Sequence, residues 1–348
     1  MSVYVKIKKR LGDFQLDVEF EAGNEVIALL GASGCGKSMT LRCIAGVEKP
    51  DEGLIIVDDV VFFDSKCHID LTPQERRTGL LFQNYALFPN MTARQNIALG
   101  AKRDNNKKTR ERKVSNIIKA FRLDEFCGHL PSQLSGGQQQ RTALARILVS
   151  EPRIIMLDEP FSALDSHLKF YLEQEVTDVI QTFGRSVILV SHNRDEVYRM
   201  SDSVAVLHDG KVSDFGTKAS LFASPKTVHS ARLTGCKNIS KAYMTGEKTA
   251  CAEDWDMELI LPEALPKGGG YVGIRAHDVA PGGGRDNDVI CRVMREIENP
   301  FSFSVMLRPV WSPEGPLIDW EMEKDVWRNL RAPEVMVSLP ASKILVLK

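Results

Sequence analysis

From Met1 to about Val212 short apolar runs alternate with longer amphipathic stretches, the rhythm of strands and helices packed in layers. The runs predict strands at Val3–Lys6, Phe14–Phe20, Glu25–Leu30, Gly53–Val57, Gly79–Phe82, Ile154–Leu157, Ser186–Val190 and Ser203–His208. Between Met91 and Pro131 strand patterning is missing, and the chain reads as helical; its basic beginning, Lys102–Lys113, is a solvated helix face. Beyond Gly216 the texture changes. Gly268–Gly270 and Gly282–Gly284 separate short β-prone runs at Tyr271–Arg275, Val289–Met294 and Phe303–Leu307. The pattern predicts an α/β domain over about residues 1–230, with a helical lobe near 91–150, and a β-rich domain over 231–348.

A chain of 348 residues, 43% apolar and 26% charged, has room for more than one core. Its 45 Lys and Arg nearly cancel 46 Asp and Glu, so no net basic charge marks a dedicated nucleic-acid binder, and no nucleic acid is expected as a partner. Seven cysteines without a C-x-x-C pair form neither a disulfide ladder nor a zinc-ligand set, as suits a reducing cytoplasm. The N-terminus has no apolar core of a signal peptide, and runs such as Val26–Leu30 are too short to span a bilayer. Work at a membrane would require other chains to cross it.

One glycine-rich run stands between a predicted strand and a predicted helix: Gly31, Ala32, Ser33, Gly34, Cys35, Gly36, Lys37, Ser38, then Met39. It fits G-x-x-x-x-G-K-[ST], and its place after Glu25–Leu30 is the context that motif needs. Glycines let backbone N–H groups wrap phosphates, and the following helix N-terminus adds positive potential. Lys37 neutralises β- and γ-phosphate oxygens, and Ser38 supplies a Mg²⁺ ligand. Downstream, the strand Ile154–Leu157 runs into Asp158 and Glu159, which places two carboxylates at the carboxyl edge of a buried sheet. Asp158 suits Mg²⁺, through water, and Glu159 suits the orientation of an attacking water.

Between these motifs lies Leu134-Ser135-Gly136-Gly137-Gln138, followed by the helical run Thr142–Val149. A serine hydroxyl, two glycine amides and a helix dipole make an anion site. This run resembles the signature motif of the ABC ATPase family, and the resemblance implies that Ser135, Gly136, Gly137 and Gln138 bind the γ-phosphate of ATP held by the opposite subunit of a dimer. Other family marks occur in order: Gln83 resembles the glutamine that touches Mg²⁺ and the hydrolytic water, Asp165 in Ser162-Ala-Leu-Asp165 resembles the loop that crosses the dimer interface, and His192 resembles the histidine that contacts the γ-phosphate. Phe14 is the aromatic nearest the place where relatives stack adenine, and it equally suits the core of its own strand.

The resemblance implies an α/β P-loop ATPase core with a helical signature lobe, followed by a small all-β, oligonucleotide-binding-like barrel. A single cassette without spans and with a β-rich tail looks like the importer subunits for oxyanions, sugars, iron or polyamines. Further local likeness is to the molybdate, tungstate and sulfate group, and Lys9–Phe14, Leu71–Arg77 and Leu233–Ile239 resemble the molybdate members most, although the tail lacks a clear Ser-Ala-Arg-Asn pattern. The implied assembly is a homodimer beneath two integral membrane permease subunits, at the cytoplasmic face of the cell membrane, with an extracytoplasmic binding protein. Residues 84–100 would receive the permease. The tail is either a dimerisation module or an oxyanion sensor, with Arg275, His277, Lys237 and Arg295 as candidate anion ligands. Repair and chromosome ATPases of the family carry a long coiled coil, absent between Gln83 and Leu134, and translation factors carry two cassettes.

Overall fold

Two strands open the chain, Val3–Leu11 (β1) and Phe14–Ala22 (β2). Val3, Val5, Ile7, Leu16, Val18 and Phe20 are buried at alternate positions because successive side chains of a strand point to opposite faces. A computed structural model, which describes residues 2–82, 84–103, 106–162, 166–284 and 286–348, pairs the two strands antiparallel about Gly12. Val26–Leu30 (β3), Glu52–Val57 (β4), Val60–Asp64 (β5), Ile69–Asp70 (β6), Thr78–Leu81 (β7), Ile154–Asp158 (β8), Val187–Ser191 (β9), Ser203–His208 (β10) and Lys211–Thr217 (β11) complete one sheet. Its eleven strands run in the order β6-β5-β4-β1-β2-β11-β10-β3-β9-β8-β7.

The half from β10 to β7 is parallel, and both of its faces are covered, which is why its strands read as unbroken apolar runs. Ile154, Met156, Ile188 and Val190 belong to one core together with Leu41 and Ile44, whereas Ile155, Leu157, Val187 and Leu189 belong to another with Ile97, Leu144 and Val176. The first core receives the helix Lys37–Ala45 (α1). A four-residue helix, Pro73–Arg76 (α2), sits where Thr72 and Glu75 form a capping box, and its Arg76 is fully buried. Ala93–Gly100 (α3), Lys107–Ala120 (α4), Gly136–Leu148 (α5) and Ser166–Phe183 (α6) supply the second core. Arg194–Met200 (α7) follows β9. Among the described residues no strand falls between 91 and 150, and no helix is long and apolar enough to cross a membrane.

Register makes the site. Leu30 lies opposite Ser191, and Asp158 opposite Val190, so β3, β8 and β9 end together. The segments that follow them start from one sheet edge.

The chain divides into compact units Met1–Lys218 and Ala219–Lys348, so residues 219–230, expected with the ATPase, pack with the tail. The reason is local: Lys348 N donates to Lys226 O at 3.0 Å, and Arg275 donates to the Phe222 carbonyl. The second unit holds two five-stranded sheets. They share one core in which Trp320 and Trp327 meet edge to face, 6.2 Å apart, each indole N–H partnered by Val279 O or Glu296 Oε2.

Candidate functional site

Residues 31–36 form the loop between β3 and α1, and two of its glycines are required by space and conformation. Gly36 has φ +106°, and a Cβ there would stand 2.5 Å from Leu16 Cδ1; a Cβ on Gly31 would stand 2.5 Å from the Leu207 carbonyl oxygen. Ala32, Ser33, Gly34 and Cys35 span the rest of the turn, and burial raises the Cys35 thiol pKa. Lys37 is 5% exposed, and its Nζ donates to Gly31 O at 2.8 Å and Ala32 O at 2.9 Å, which holds the ammonium inside the loop. Ser38 and Met39 continue the first turn of α1, whose free N–H groups face the loop end. Phe14 begins β2 beside this loop, 3.3 Å from where a Gly36 Cβ would lie, and packs on the first core.

Ser38 Oγ donates to Asp158 Oδ1 at 2.9 Å. Burial raises the Asp158 pKa, the Ser38 hydrogen bond opposes that shift, and the Glu159 charge adds to it. A hydroxyl and a carboxylate meeting at the phosphate end of the loop are oxygen donors of the kind Mg²⁺ takes, and a cation beside Asp158 offsets the cost of burying its charge. Among the described residues no group of three His, Cys, Asp or Glu side chains is placed to hold a metal ion.

Glu159 leaves the strand with φ +45°, a left-handed conformation uncommon for a non-glycine residue. Two bonds fix it there: its N–H donates to Val190 O at 3.0 Å, and Ser162 Oγ donates to its carbonyl at 3.0 Å. Its Oε1 is 3.3 Å from His192 Nδ1. Lys37, Ser38, Asp158, Glu159 and His192 therefore gather at one edge. Ser135 caps α5 instead, its N–H donating to Gln138 Oε1 at 2.8 Å and its Oγ accepting from Gln138 N at 3.4 Å. Gly136 and Gly137 form the first turn of that helix, and a Cβ on Gly137 would press on Leu172 of α6 at 3.1 Å. These contacts tie the Ser135 turn to α5 itself and to α6. Gln83 and Asp165 lie outside the described residues.

Sequence reasoning missed a residue that braces the segment after Gln83. Arg146 of α5 donates from Nη1 to Ala86 O at 2.7 Å and from Nη2 to Tyr85 O at 3.0 Å, and stacks over Phe88. In the second unit three of the four basic residues expected at an anion site have separate partners. Arg275 donates to Thr234 O at 2.5 Å, Lys237 lies 3.8 Å from Asp319, and His277 lies 3.8 Å from Asp278; Arg295 is on the strand Asp288–Glu298.

A glycine loop at the end of a parallel strand, with a lysine in its centre and a serine on the neighbouring strand's aspartate, defines a P-loop cassette with an α/β core. A family model described as ABC transporter matches residues 14–162. The Fe(3+) ions import ATP-binding protein FbpC of Fusobacterium nucleatum is 34% identical over 267 residues, 74% of this chain and 70% of that protein. The spermidine/putrescine import ATP-binding protein PotA of Oleidesulfovibrio alaskensis is 36% identical over 244 residues, 70% of this chain and 64% of that protein. The molybdenum import ATP-binding protein ModC of Paramagnetospirillum magneticum is 38% identical over 219 residues, 63% of this chain and 60% of that protein. The match thus spans less than two thirds of the latter two. A solved ATP-binding cassette, a dimer in a post-hydrolysis state bound to ADP and Pi, is similar with TM-score 0.53 and 29% identity over 63% of this chain and 99% of that one. The chain belongs to the ABC transporter family, as an ATP-binding cassette with an additional β-rich region.

Proposed function

We propose that the chain is the ATP-binding subunit of an importer and hydrolyses Mg-ATP at a head-to-tail dimer interface to drive uptake. The observation that carries this is the pairing of Ser38 with Asp158 at 2.9 Å and of Glu159 with His192 at 3.3 Å along one sheet edge. The loop amides and Lys37 would hold the phosphates, and Ser38 with Asp158 would hold Mg²⁺, which would supply positive charge there. Glu159 orients a water for in-line attack and takes its proton at the carboxylate, while His192 braces that carboxylate and donates toward the γ-phosphate. In the family resemblance Gln83 joins the Mg²⁺ and water contacts, Asp165 crosses between copies, and Ser135 with Gly136, Gly137 and Gln138 closes the site from the second copy.

Three relatives are named for iron, polyamine and molybdenum import. As substrate we favour an oxyanion, molybdate, tungstate or sulfate, on the local likeness at Lys9–Phe14, Leu71–Arg77 and Leu233–Ile239. The proposed partners are a second copy, two membrane permeases docking on residues 84–100 at the cytoplasmic face, and an extracytoplasmic binding protein. The second unit is proposed as a dimerisation or regulatory domain related to oligonucleotide-binding barrels. Vesicles carrying the assembled complex should take up molybdate or tungstate only with ATP. Uptake of a polyamine or iron instead would overturn the oxyanion choice, and ATP turnover without any uptake would overturn import.

A further inference from the structure

Two ion pairs join α6 to α7. Arg199 Nε donates to Glu173 Oε2 at 2.8 Å, and Lys169 pairs with Glu196 Oε1. Lys169 and Glu173 stand one turn apart on α6, as Glu196 and Arg199 do on α7, so the pairs lie side by side between the helices. Both carboxylates are buried, Glu173 at 3% exposure and Glu196 at 4%. What lies behind them differs.

The second oxygen of Glu196, Oε2, accepts from Ser191 Oγ at 2.6 Å, and Ser191 Oγ itself accepts from Asn193 N–H at 2.9 Å. These bonds grip the residue before His192 and the residue after it. The imidazole between them is 58% exposed, so surrounding side chains do little to hold it, and the backbone clasp sets where it stands. Asn193 then caps α7, its Oδ1 accepting from Asp195 N at 2.9 Å, which fixes the far side of the loop. A carboxylate is costly to bury, and here each oxygen has its own partner, one on α6 and one at the histidine loop.

We propose that Glu196 is a positioning residue for hydrolysis: through Ser191 it holds His192 within reach of Glu159 Oε1, and through Lys169 it ties that loop to α6, whose first residue follows Asp165. The histidine and the helix after the interface loop then move as one piece. Such coupling acts on the chemical step, because a small displacement of His192 changes alignment without touching the loop that grips ATP.

This rests on the reading of the chain as an ATP hydrolase, so Mg-ATP turnover by the wild-type chain is measured first, and its absence would overturn that reading. With turnover established, Glu196→Gln should lower kcat roughly tenfold or more while KM for ATP stays within about twofold. Ser191→Ala, which removes only the hydroxyl, should act in the same direction. Lys169→Met and Glu196→Gln should combine less than additively, as residues of one network do. Glu173→Gln opens the neighbouring ion pair but leaves Ser191 alone; it should lower the melting temperature and keep kcat within about twofold. Histidine Cε1–H NMR signals give a readout independent of turnover: the His192 signal, assigned with His192→Gln, should shift in Glu196→Gln and stay in place in Glu173→Gln. An unmoved signal or a wild-type kcat in Glu196→Gln would overturn the proposal, as would an equal loss of kcat in Glu173→Gln, which would make both pairs plain helix packing.

Discussion

Arg146 on α5 donates from Nη2 to the carbonyl of Tyr85 at 3.0 Å, so the helix that begins at Ser135 also holds the segment just after Gln83. Tyr85 and Ala86 are both left-handed, with φ +58° and +44°, and Arg146 bonds the carbonyls of both. Arg146→Met removes two charge-assisted bonds from a strained turn and should cost about 2–3 kcal/mol in urea unfolding. Turnover should fall with it. Arg146→Lys should not restore either, because an ammonium cannot fork to two carbonyls in fixed geometry. A stable, fully active Arg146→Met would remove the brace from the account.

Glu159→Gln keeps shape and some hydrogen bonding and loses proton-accepting ability. Hydrolysis should drop roughly a hundredfold, the scale of a lost general base, with ATP binding retained. With Mg-ATP the variant should elute as a dimer on sizing chromatography while the wild type runs mostly as a monomer. Near-normal turnover would take Glu159 out of the chemistry.

The Ser135 turn and the Lys37 loop sit on different elements, so completion of the site by a second copy has a direct test. A dimer pairing a Lys37→Ala chain with a Ser135→Arg chain places both lesions in one composite site and leaves the other whole. ATPase activity is expected in that mixed dimer and in neither mutant homodimer. Inactivity of every combination, with mixed dimers demonstrably formed, would argue for a site built within one chain.

Arg76 donates to Cys43 O at 2.7 Å, Ile44 O at 2.9 Å and Leu71 O at 2.8 Å, and pairs with Asp70 at 3.0 Å. The first two are carbonyls of the last turn of α1, so a buried guanidinium closes the far end of the helix whose first turn carries Lys37. Arg76→Met takes the donor from Ile44 O and Leu71 O and leaves Cys43 O only the Gly46 N–H at 3.2 Å, and should cost about 3 kcal/mol, a fall of roughly 10 °C in the melting of the ATPase unit. A shift of only a degree or two in calorimetry would count against this capping role.

Thiol chemistry should separate the cysteines by environment. Cys67 is exposed, whereas burial pushes the Cys43 and Cys291 pKa values to about 12 and that of Cys236 to about 11. Iodoacetamide should label Cys67 first in the folded chain, and Cys43 and Cys291 only on unfolding. The Asp64 hydrogen bond and charge raise the Cys67 pKa too, so its thiolate fraction at pH 7 falls below that of a free thiol, and its labelling should speed up as pH climbs through the raised value. Mass spectrometry of time points checks the order; early labelling of Cys43 would contradict the burial of α1.

Much of the core was legible in the sequence because parallel strands buried on both faces must be apolar throughout, and Ile154–Leu157 and Val187–Val190 are nearly inaccessible. The Lys37 loop was legible because a glycine motif between strand and helix has few other uses. The strand Ile69–Asp70 was not: its two residues carry no period to read. Arg76, Arg146 and Glu196 were missed for a different reason. Arg76 and Glu196 stand in charged stretches that read as solvated surface, Arg146 is the lone charge in the helical run Thr142–Val149, and each becomes structural only through partners such as Cys43 for Arg76, Tyr85 for Arg146 or the buried Ser191 for Glu196. The extent of the tail was misjudged at its start because residues 219–230 have helical texture, while their partners, Arg275 and Lys348, lie far downstream.

The large sheet ends, on both sides, in its shortest strands: Ile69–Asp70 with two residues and Thr78–Leu81 with four. An outermost strand is where a sheet can recruit a stranger's backbone, and so short a row of free amides and carbonyls gives an incoming strand little to zip onto. Asp70 adds a carboxylate held by Lys49 at 3.2 Å and by Arg76, a charged plug at that margin. The consequence is colloidal: neither margin of this sheet offers a long row for edge-to-edge growth between crowded copies.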